Sequence, residues 1–284
     1  MKKKRIFLMV FLCIILFTAG SLFASKHLLM VSRYTIEDQR IEHPFRIVQL
    51  TDLHNSTFGE HNEKLVKKVL EQDPDIILIT GDLINEGEED LSVALNLISS
   101  LSKEAPVYVS YGNHETNYEK RYGTDIASVY ENAGAKVLNF EYEEIEINGQ
   151  KIRLGGLYGY CLPEKYLSTG EANEKEVVFL KKFQDTPLYT ILMCHMPVCW
   201  IINDSLNQWD CDLVLCGHSH GGQIRLPFIG GFYAPDQGYF CGKEAGFYYS
   251  DDKNKAMLLS RGLGSNEEIP RMNNIPEITV INLN

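Results

Sequence analysis

Five short polar clusters, each at the end of an apolar run, contain the residues of this chain that could do chemistry. They are Asp52-Leu53-His54, Gly81-Asp82, Gly112-Asn113-His114-Glu115, His195 and Gly217-His218-Ser219-His220. Carboxylates, an amide and imidazoles form a mixed nitrogen and oxygen ligand set that suits Mn²⁺, Fe or Zn²⁺ and is too rich in nitrogen for Ca²⁺. Two such ions held a few Å apart would promote in-line displacement at phosphorus.

The spacing within the clusters favours shared ligation. Asp52 and His54 are two residues apart, so on an extended chain both side chains leave on one face, and the same spacing recurs at His218 and His220. Asp82 follows a glycine that lets the backbone turn sharply, and it could bridge both ions. Most of the clusters alone are more often structural than functional, and Gly217-His218-Ser219-His220 alone is about equally often either. Their joint occurrence in order, each after an apolar run, indicates a metal site.

Apolar strands alternating with helices must position these clusters. The predicted strands are 45–50, 75–80, 106–110, 188–194, 212–216, 257–260 and 277–283, and the predicted helices are roughly 61–72, 89–102, 116–133 and 172–184. Asn148-Gly149 predicts a hairpin over 141–157. Loops at the carboxyl ends of strands converge on sites in α/β sheets. The sequence therefore predicts an α/β fold of two packed mixed sheets flanked by helices.

The N-terminus predicts a membrane segment. Residues 6–24 carry no charge and are about long enough to cross the hydrocarbon of a bilayer. Basic residues 2–5 precede them, which keeps that end in the cytoplasm. We therefore predict a single-pass membrane anchor at 1–25, a stalk or first edge strand at 26–44, and an extracytoplasmic catalytic domain at 45–284. The alternative is a cleaved signal peptide and a secreted protein.

Charge and cysteine content limit the partners and the cross-links. The chain has 27 Lys+Arg against 38 Asp+Glu, a net charge of −11. Because such a surface repels phosphate backbones, no nucleic-acid partner is expected. The seven cysteines include no CxxC pair, and most of them, such as Cys194 and Cys216, are interpreted as small buried apolar residues. A Cys199–Cys211 disulfide is left open as an alternative.

The five clusters, in this order, resemble the five motif blocks of the calcineurin-like metallophosphoesterases. The resemblance covers residues 45–223, and Gly221-Gly222-Gln223 and Ser260-Arg261-Gly262-Leu263-Gly264 are similar to the membrane-associated bacterial branch that the YkuE and YaeI proteins typify. It implies a four-layer αββα fold and hydrolysis of phosphoester bonds. The alternatives are a non-catalytic scaffold with this fold, or a metal-dependent amidase or peptidase, for which a His-Glu-x-x-His motif would be needed.

The resemblance also implies a role for each site residue. Asp52, His54 and His220 would hold the first of two divalent ions, Asp82 would bridge, and Asn113, His195 and His218 would complete the second site. His114 matches the histidine that is not a ligand and acts on the leaving oxygen. We expect Glu115 to contact a metal-ligand histidine on the side away from the metal and to hold its ring in place.

The sequence predicts the substrate only in broad chemical terms. It would be a phosphomonoester, a phosphodiester or a pyrophosphate, and it could be a phospholipid or a lipid-linked molecule. Arg261 and Arg225, and less so Arg271, are candidates for binding substrate phosphate, although each could instead be a salt-bridge partner. The apolar stretch 227–233 could enter the membrane interface or receive an acyl chain, or it could pack on its own core.

Overall fold

Two six-stranded sheets lie face to face between helices in the computed structural model, which describes residues 2–240, 242–265 and 270–284. In chain order the strands are β1 (Met30–Ile36), β2 (Phe45–Leu50), β3 (Ile76–Thr80), β4 (Val107–Ser110), β5 (Lys136–Val137), β6 (Glu141–Ile147), β7 (Gln150–Leu157), β8 (Tyr189–Cys194), β9 (Leu213–Cys216), β10 (Arg225–Leu226), β11 (Gly230–Gly231), β12 (Tyr233–Ala234), β13 (Gly238–Tyr239), β14 (Gly246–Tyr249), β15 (Ala256–Leu259) and β16 (Glu277–Leu283). The helices are α1 (Lys2–His27), α2 (Glu63–Leu70), α3 (Ser92–Leu101), α4 (Asn113–Tyr122), α5 (Ile126–Asn132), α6 (Glu174–Phe183), α7 (Val198–Ile202) and α8 (Ser205–Gln208), with 3-10 turns at Glu60–Asn62, Glu164–Leu167 and His220–Gly222.

Both large sheets are mixed. The first has the order β1-β16-β2-β3-β4-β5 and the second β14-β15-β9-β8-β7-β6. Strands β2 to β5 are parallel to one another, as are β7, β8, β9 and β15, whereas β16 runs antiparallel to β2. The two short hairpins β10–β11 and β12–β13 lie between β9 and β14 in the chain.

Three apolar clusters separate the four layers. Ile47 and Leu78 face the second sheet, whereas their neighbours Val48 and Ile77 pack against the helices of the first sheet. A third cluster, which includes Phe183, lies between the second sheet and α6 to α8. Because both faces of the central strands are covered, these strands are apolar almost without interruption. The predicted αββα architecture is confirmed.

Two helix predictions need correction. The helix predicted over 116–133 is two helices, because α4 ends at Tyr122 and Gly123, with a left-handed φ of 68°, caps it before α5 begins. Helix α4 also begins earlier, at Asn113, since the Glu115 carboxylate accepts a hydrogen bond from the Gly112 N–H and caps the first turn. Helix α2 stops at Leu70. The hairpin is confirmed, with φ of 53° and 87° at its two turn residues.

The N-terminal residues form one long helix and an edge strand. Among the described residues, α1 is the one helix long and apolar enough to cross a membrane. Strand β1 then pairs in parallel with β16, so residues 30–36 belong to the first sheet. The last turns of α1 lie against the folded domain, where Ser25 is buried.

The cysteines pack as apolar side chains. The six described cysteines are free, and the five of them in the folded domain are buried, which confirms the general interpretation. The Cys199–Cys211 disulfide is therefore wrong: both residues are free, buried thiols. Cys241 lies outside the described residues.

Candidate metal centre

The five polar clusters converge where the two sheets meet. Each follows the carboxyl end of β2, β3, β4, β8 or β9. Gln49, near the end of β2, joins the sheets because its Nε2 donates to Thr80 Oγ1 and to the Cys216 carbonyl, both at 3.0 Å. The loops after strands of both sheets therefore open onto one point.

The loops that carry the ligand candidates are not extended, contrary to the sequence prediction. Asp52 and His54 have φ of 53° and 47°, and His218 and His220 have 69° and 47°. Such left-handed conformations are costly for residues other than glycine and cluster at functional sites. Turns at these positions, and not the alternation of side chains along an extended strand, bring the two side chains of each pair together.

Two glycines let the carboxylates lie against the backbone. A Cβ on Gly112 would lie 2.2 Å from Asp82 Oδ1, and one on Gly217 would lie 2.6 Å from Asp52 Oδ2. In the space so provided, the His114 N–H donates to Asp82 Oδ1 and the His218 N–H donates to Asp52 Oδ1, each at 2.9 Å. Both carboxylates are thus fixed by the loops of neighbouring clusters.

Asp82 lies between two groups of ligand atoms. Its Oδ2 is 3.0 Å from His195 Nε2 and 3.6 Å from His54 Nε2. Asp52 Oδ1 is 3.9 Å from both His195 Nε2 and His220 Nδ1. Three overlapping groups of residues could each hold an ion, because one ligand atom from each member lies within 4.8 Å of those of the other members. The groups are Asp52, His54 and His220; His54, Asp82 and His114; and Asp82, His195 and His218.

Burial and charge set the protonation of these groups before any cation binds. Burial lowers the pKa of His54 to about 3 and that of His220 well below its usual range, so both imidazoles are neutral. Burial opposes a charge on His195 as well, but Asp82 and Asp52 together raise its pKa to about 10. Burial also opposes ionisation of Asp82, yet His195 and His54 hold its pKa well below the ordinary value.

A model of the calcineurin-like phosphoesterase family matches residues 45–222. The chain belongs to this family. It is 29% identical over 249 residues to the phosphodiesterase YaeI of Escherichia coli (strain K12), covering 84% of this chain and 82% of YaeI. It is 28% identical over 270 residues to the metallophosphoesterase YkuE of Bacillus subtilis (strain 168), covering 92% and 87%. A 5′-nucleotidase precursor from Thermus thermophilus aligns at 12% identity and a TM-score of 0.47, over 78% of this chain and 49% of that structure.

Calcineurin-like phosphoesterases are hydrolases with a dinuclear divalent metal site, and this chain has ligand clusters for one. The buried polar atoms fit such ions. His54 Nδ1 lies 3.1 Å from Asn85 Oδ1 and His195 Nδ1 lies 2.7 Å from the Thr80 carbonyl, so each Nδ1 carries a proton. Nε2 of the neutral His54 offers a lone pair, and Nε2 of His195 offers one once its proton is released. Among the described residues, four buried atoms at this point make no hydrogen bond of acceptable geometry: His54 Nε2, Asn113 Oδ1, His195 Nε2, despite its ion pair with Asp82, and His220 Nδ1. Buried polar atoms without a hydrogen bond are rare, and bound cations would satisfy them.

Two supporting carboxylates have positions that the sequence did not predict. Glu115 accepts hydrogen bonds from the backbone N–H groups of Asp82, Leu83 and Gly112, each at 2.8 Å, and from the hydroxyl of Tyr130. The expectation that it fixes a histidine ring is wrong, since its oxygens are used by the backbone that carries Asp82.

Asp236, between β12 and β13, lies with Oδ2 3.2 Å from His218 Nε2. Sequence reasoning missed it, because residues 222–250 show no periodicity and nothing marks one aspartate among their turns. One ring nitrogen of His218 lies within 4.8 Å of ligand atoms of Asp82 and His195. A carboxylate behind a histidine in this way sets the orientation of the ring.

The three candidate arginines lie near one another. Arg225 donates from Nη1 to the Gly221 carbonyl and lies 3.6 Å from Glu244. Arg271 is buried and donates to the carbonyls of Asn274, Arg261 and Gly264, which clamps the loop against Asp52. Arg261 is partly exposed and its stem packs over Gly221. Arg225 and Arg271 therefore have structural partners.

Proposed function

We propose that this chain is a dinuclear-metal-dependent phosphohydrolase in which its own strand-end residues hold both ions. Asp52, His54 and His220 are assigned to one ion and Asn113, His195 and His218 to the other, with Asp82 between them. The observation that carries the proposal is the set of four buried nitrogen and oxygen atoms around the two carboxylates that make no hydrogen bond of acceptable geometry. Carboxylate, amide and neutral imidazole ligands suit Mn²⁺, Fe and Zn²⁺.

Two bound cations would supply Lewis-acid neutralisation of charge on the phosphoryl group and would lower the pKa of water to near neutrality. The chain supplies the geometry. The backbone N–H groups of His114 and His218 fix the two carboxylates, and the Nδ1–H bonds of His54 and His195 fix those imidazole planes. Such preorganised groups need no rearrangement as charge develops in the transition state.

His114 is proposed as the group that acts on the leaving oxygen. Its Nδ1 accepts a hydrogen bond of 3.0 Å from the Glu86 N–H, which places the ring proton on Nε2. Its ring lies edge-on to that of His54, with centroids 4.7 Å apart. His114 therefore holds a proton beside the metal ligands, where it can be donated to the leaving oxygen or hydrogen-bonded to the phosphoryl group.

Arg261 is proposed as a contact for substrate phosphate, and Arg225 as a weaker candidate because Gly221 and Glu244 engage its guanidinium. Replacing Arg261 with lysine would keep the charge but remove the planar pair of donors. We expect the KM for the substrate to rise while kcat changes less. A larger fall in kcat than in substrate affinity would contradict this role.

The proposed substrate is a phosphodiester, including a lipid-linked one, because the relative YaeI is a phosphodiesterase and α1 can cross a membrane. We further propose that α1 is an uncleaved anchor with the domain outside the cytoplasm. Ser25 in α1 is buried and accepts a hydrogen bond from the Asn274 N–H, so the domain uses the helix as part of its structure. Intact mass of the membrane-extracted protein tests this: a mass lacking the first residues would contradict the anchor.

The activity is tested with the full chain in lipid nanodiscs. Turnover of a bis-nitrophenyl phosphodiester, a nitrophenyl monoester and a bilayer phospholipid would be measured with Mn²⁺, with Asp82→Asn as the matched variant. We expect diester turnover that requires metal and is lost in Asp82→Asn. Metal-independent turnover, or a fully active Asp82→Asn variant, would contradict the proposal, whereas hydrolysis of monoesters alone would change the substrate class.

A further inference from the structure

The two short hairpins after the last metal-ligand candidates carry an exposed apolar cluster. Phe228 is fully exposed (110%), and Ile229, Tyr239 and Phe240 are exposed at 60%, 62% and 56%. Phe232 joins the hairpins, since its ring centroid lies 5.2 Å from those of both Tyr239 and Phe240. Single exposed apolar residues are ordinary, but a contiguous group indicates an interaction surface. We call residues 225–240 the hairpin face.

The hairpin face lies beside the end of α1. The Ser21 and Ser25 hydroxyls accept hydrogen bonds from the backbone N–H groups of Asn273 and Asn274. The Asn273 side chain in turn donates to the Arg225 carbonyl in β10 at 2.9 Å. One asparagine therefore connects the first hairpin to a helix position that belongs to the apolar segment.

The same segment connects the helix to the metal centre. The Asn274 side chain donates to the carbonyls of His220, at 2.7 Å, and Gln223. The second hairpin carries Asp236, which contacts His218. The helix end, the hairpin face and the metal-ligand loops are thus joined by direct hydrogen bonds.

We propose that the hairpin face contacts the lipid bilayer next to α1, with Phe228 and Ile229 inserted at the interface. The inference rests on the proposed membrane anchor. Residues 226–234 carry no charge, so entering the interface requires no burial of an ionised side chain. The helix already holds this part of the domain at the membrane surface, and aromatic side chains are favoured at that depth. The metal centre then opens close to the headgroups, so its substrate class is phosphoesters borne by the bilayer.

A tryptophan reporter tests the contact. Trp200 and Trp209 are buried, so a new exposed tryptophan can be measured against the wild-type background. Three full-length variants would be reconstituted in vesicles of phosphatidylcholine brominated on its acyl chains: Phe228→Trp, Tyr249→Trp and Phe17→Trp. Tyr249 is the matched control, because it is 59% exposed and pairs with Ala256, at the end of the second sheet away from the metal-ligand loops.

The inference predicts strong quenching of the F228W and F17W reporters and little quenching of Y249W. If F17W is quenched and F228W behaves like Y249W, the hairpin face does not contact lipid and the inference is wrong, while the anchor stands. An unquenched F17W reporter overturns the anchor and the inference with it. F228W protected from both brominated lipid and aqueous acrylamide would mean that a second protein chain covers the face, which also overturns the inference.

A kinetic comparison adds a functional readout. The double variant Phe228→Ser, Ile229→Ser would be assayed on a phospholipid in the bilayer and on a soluble nitrophenyl phosphodiester. We expect turnover of the bilayer substrate to fall about tenfold, which corresponds to about 1.4 kcal/mol, with unchanged turnover of the soluble one. Equal effects on both substrates would contradict a lipid-contact role.

Discussion

The Nε2 atom of His195 lies 3.0 Å from Oδ2 of Asp82, although the histidine follows β8 of the second sheet and the aspartate follows β3 of the first. Without a cation, a protonated His195 and an ionised Asp82 form an ion pair, since the pKa of His195 is raised and that of Asp82 is lowered. A cation between them takes the place of that proton, so metal binding and proton release are linked. This contact between the loops of the two sheets is therefore also a proposed ligand pair.

Replacing His114 with asparagine tests the separation of catalysis from metal binding. Because the Glu86 N–H places the proton of His114 on Nε2, the variant loses the donor and keeps the proposed ligands. We expect turnover to fall by about 10²–10⁴-fold with an unchanged metal content. Turnover on a diester with a poor leaving group and metal analysis of the same sample would be compared. Loss of metal from the variant would assign His114 as a ligand instead.

Asp236→Asn tests whether the carboxylate near His218 orients that ring. Its contact with His218 Nε2 is 3.2 Å, and outer carboxylates of this kind typically contribute about 10–100-fold to metal affinity. We expect a comparable loss in affinity for Mn²⁺, measured by calorimetry on chelated protein. Asp252→Asn, in the turn between β14 and β15 away from the site, is the control and should bind as the wild type does. Equal affinities for both variants would exclude the orienting role.

Glu115→Gln should lower the stability of the metal-free protein. The buried carboxylate accepts from three backbone N–H groups and from Tyr130, and an amide group would present hydrogens to some of these donors. We expect a loss of about 2–3 kcal/mol, against about 1 kcal/mol for Tyr130→Phe, which removes one bond. Thermal unfolding of both variants would show the order, and an unchanged midpoint in Glu115→Gln would refute it.

Glu176 predicts a pH-dependent contribution to stability. Burial raises the pKa of this carboxyl from 4.5 to about 7, although the Cys161 N–H donates to it. Because the folded pKa is the higher one, the native state binds the proton more tightly. This stabilisation is complete below about pH 4.5 and is lost as the pH rises through about 7.

Glu176→Gln removes this dependence. Between those pH values, the stability of the wild type relative to the variant should fall by up to about 3 kcal/mol. Glu174→Gln, on the exposed side of the same helix, is the control. Parallel stability curves for the wild type and Glu176→Gln across this range would show that the buried carboxyl does not titrate as described.

The sequence predicts the layers and the convergence of the site because both depend on apolar runs. Central strands covered on both faces are apolar throughout, and a polar cluster after such a run must lie at the sheet edge. It does not predict the backbone of those clusters. Asp52 and His218 adopt left-handed conformations, and the hydrogen bond from the His218 N–H to Asp52 Oδ1 joins positions 166 residues apart in the chain.

Supporting residues are harder to predict for the same reason. Asp236, which contacts His218, lies in a stretch of short hairpins whose sequence has no periodicity. Glu115 accepts hydrogen bonds from three N–H groups that come together only when the sheet folds. The position of Ser25 against Asn274 likewise depends on the C-terminal segment returning beside α1. Local pattern carries no signal for any of these contacts.

The central claim is that two divalent ions held around Asp82 support turnover. The most direct measurement starts from full-length protein in nanodiscs that a chelator has freed of metal. Mn²⁺ would be added stepwise to the wild type and to Asp82→Asn, and bound metal per chain and diester turnover would be measured together. The account predicts two ions per wild-type chain, turnover that returns as the second ion binds, and neither full loading nor turnover in Asp82→Asn. Full turnover by the metal-free protein, or by protein with one ion per chain, would contradict the account.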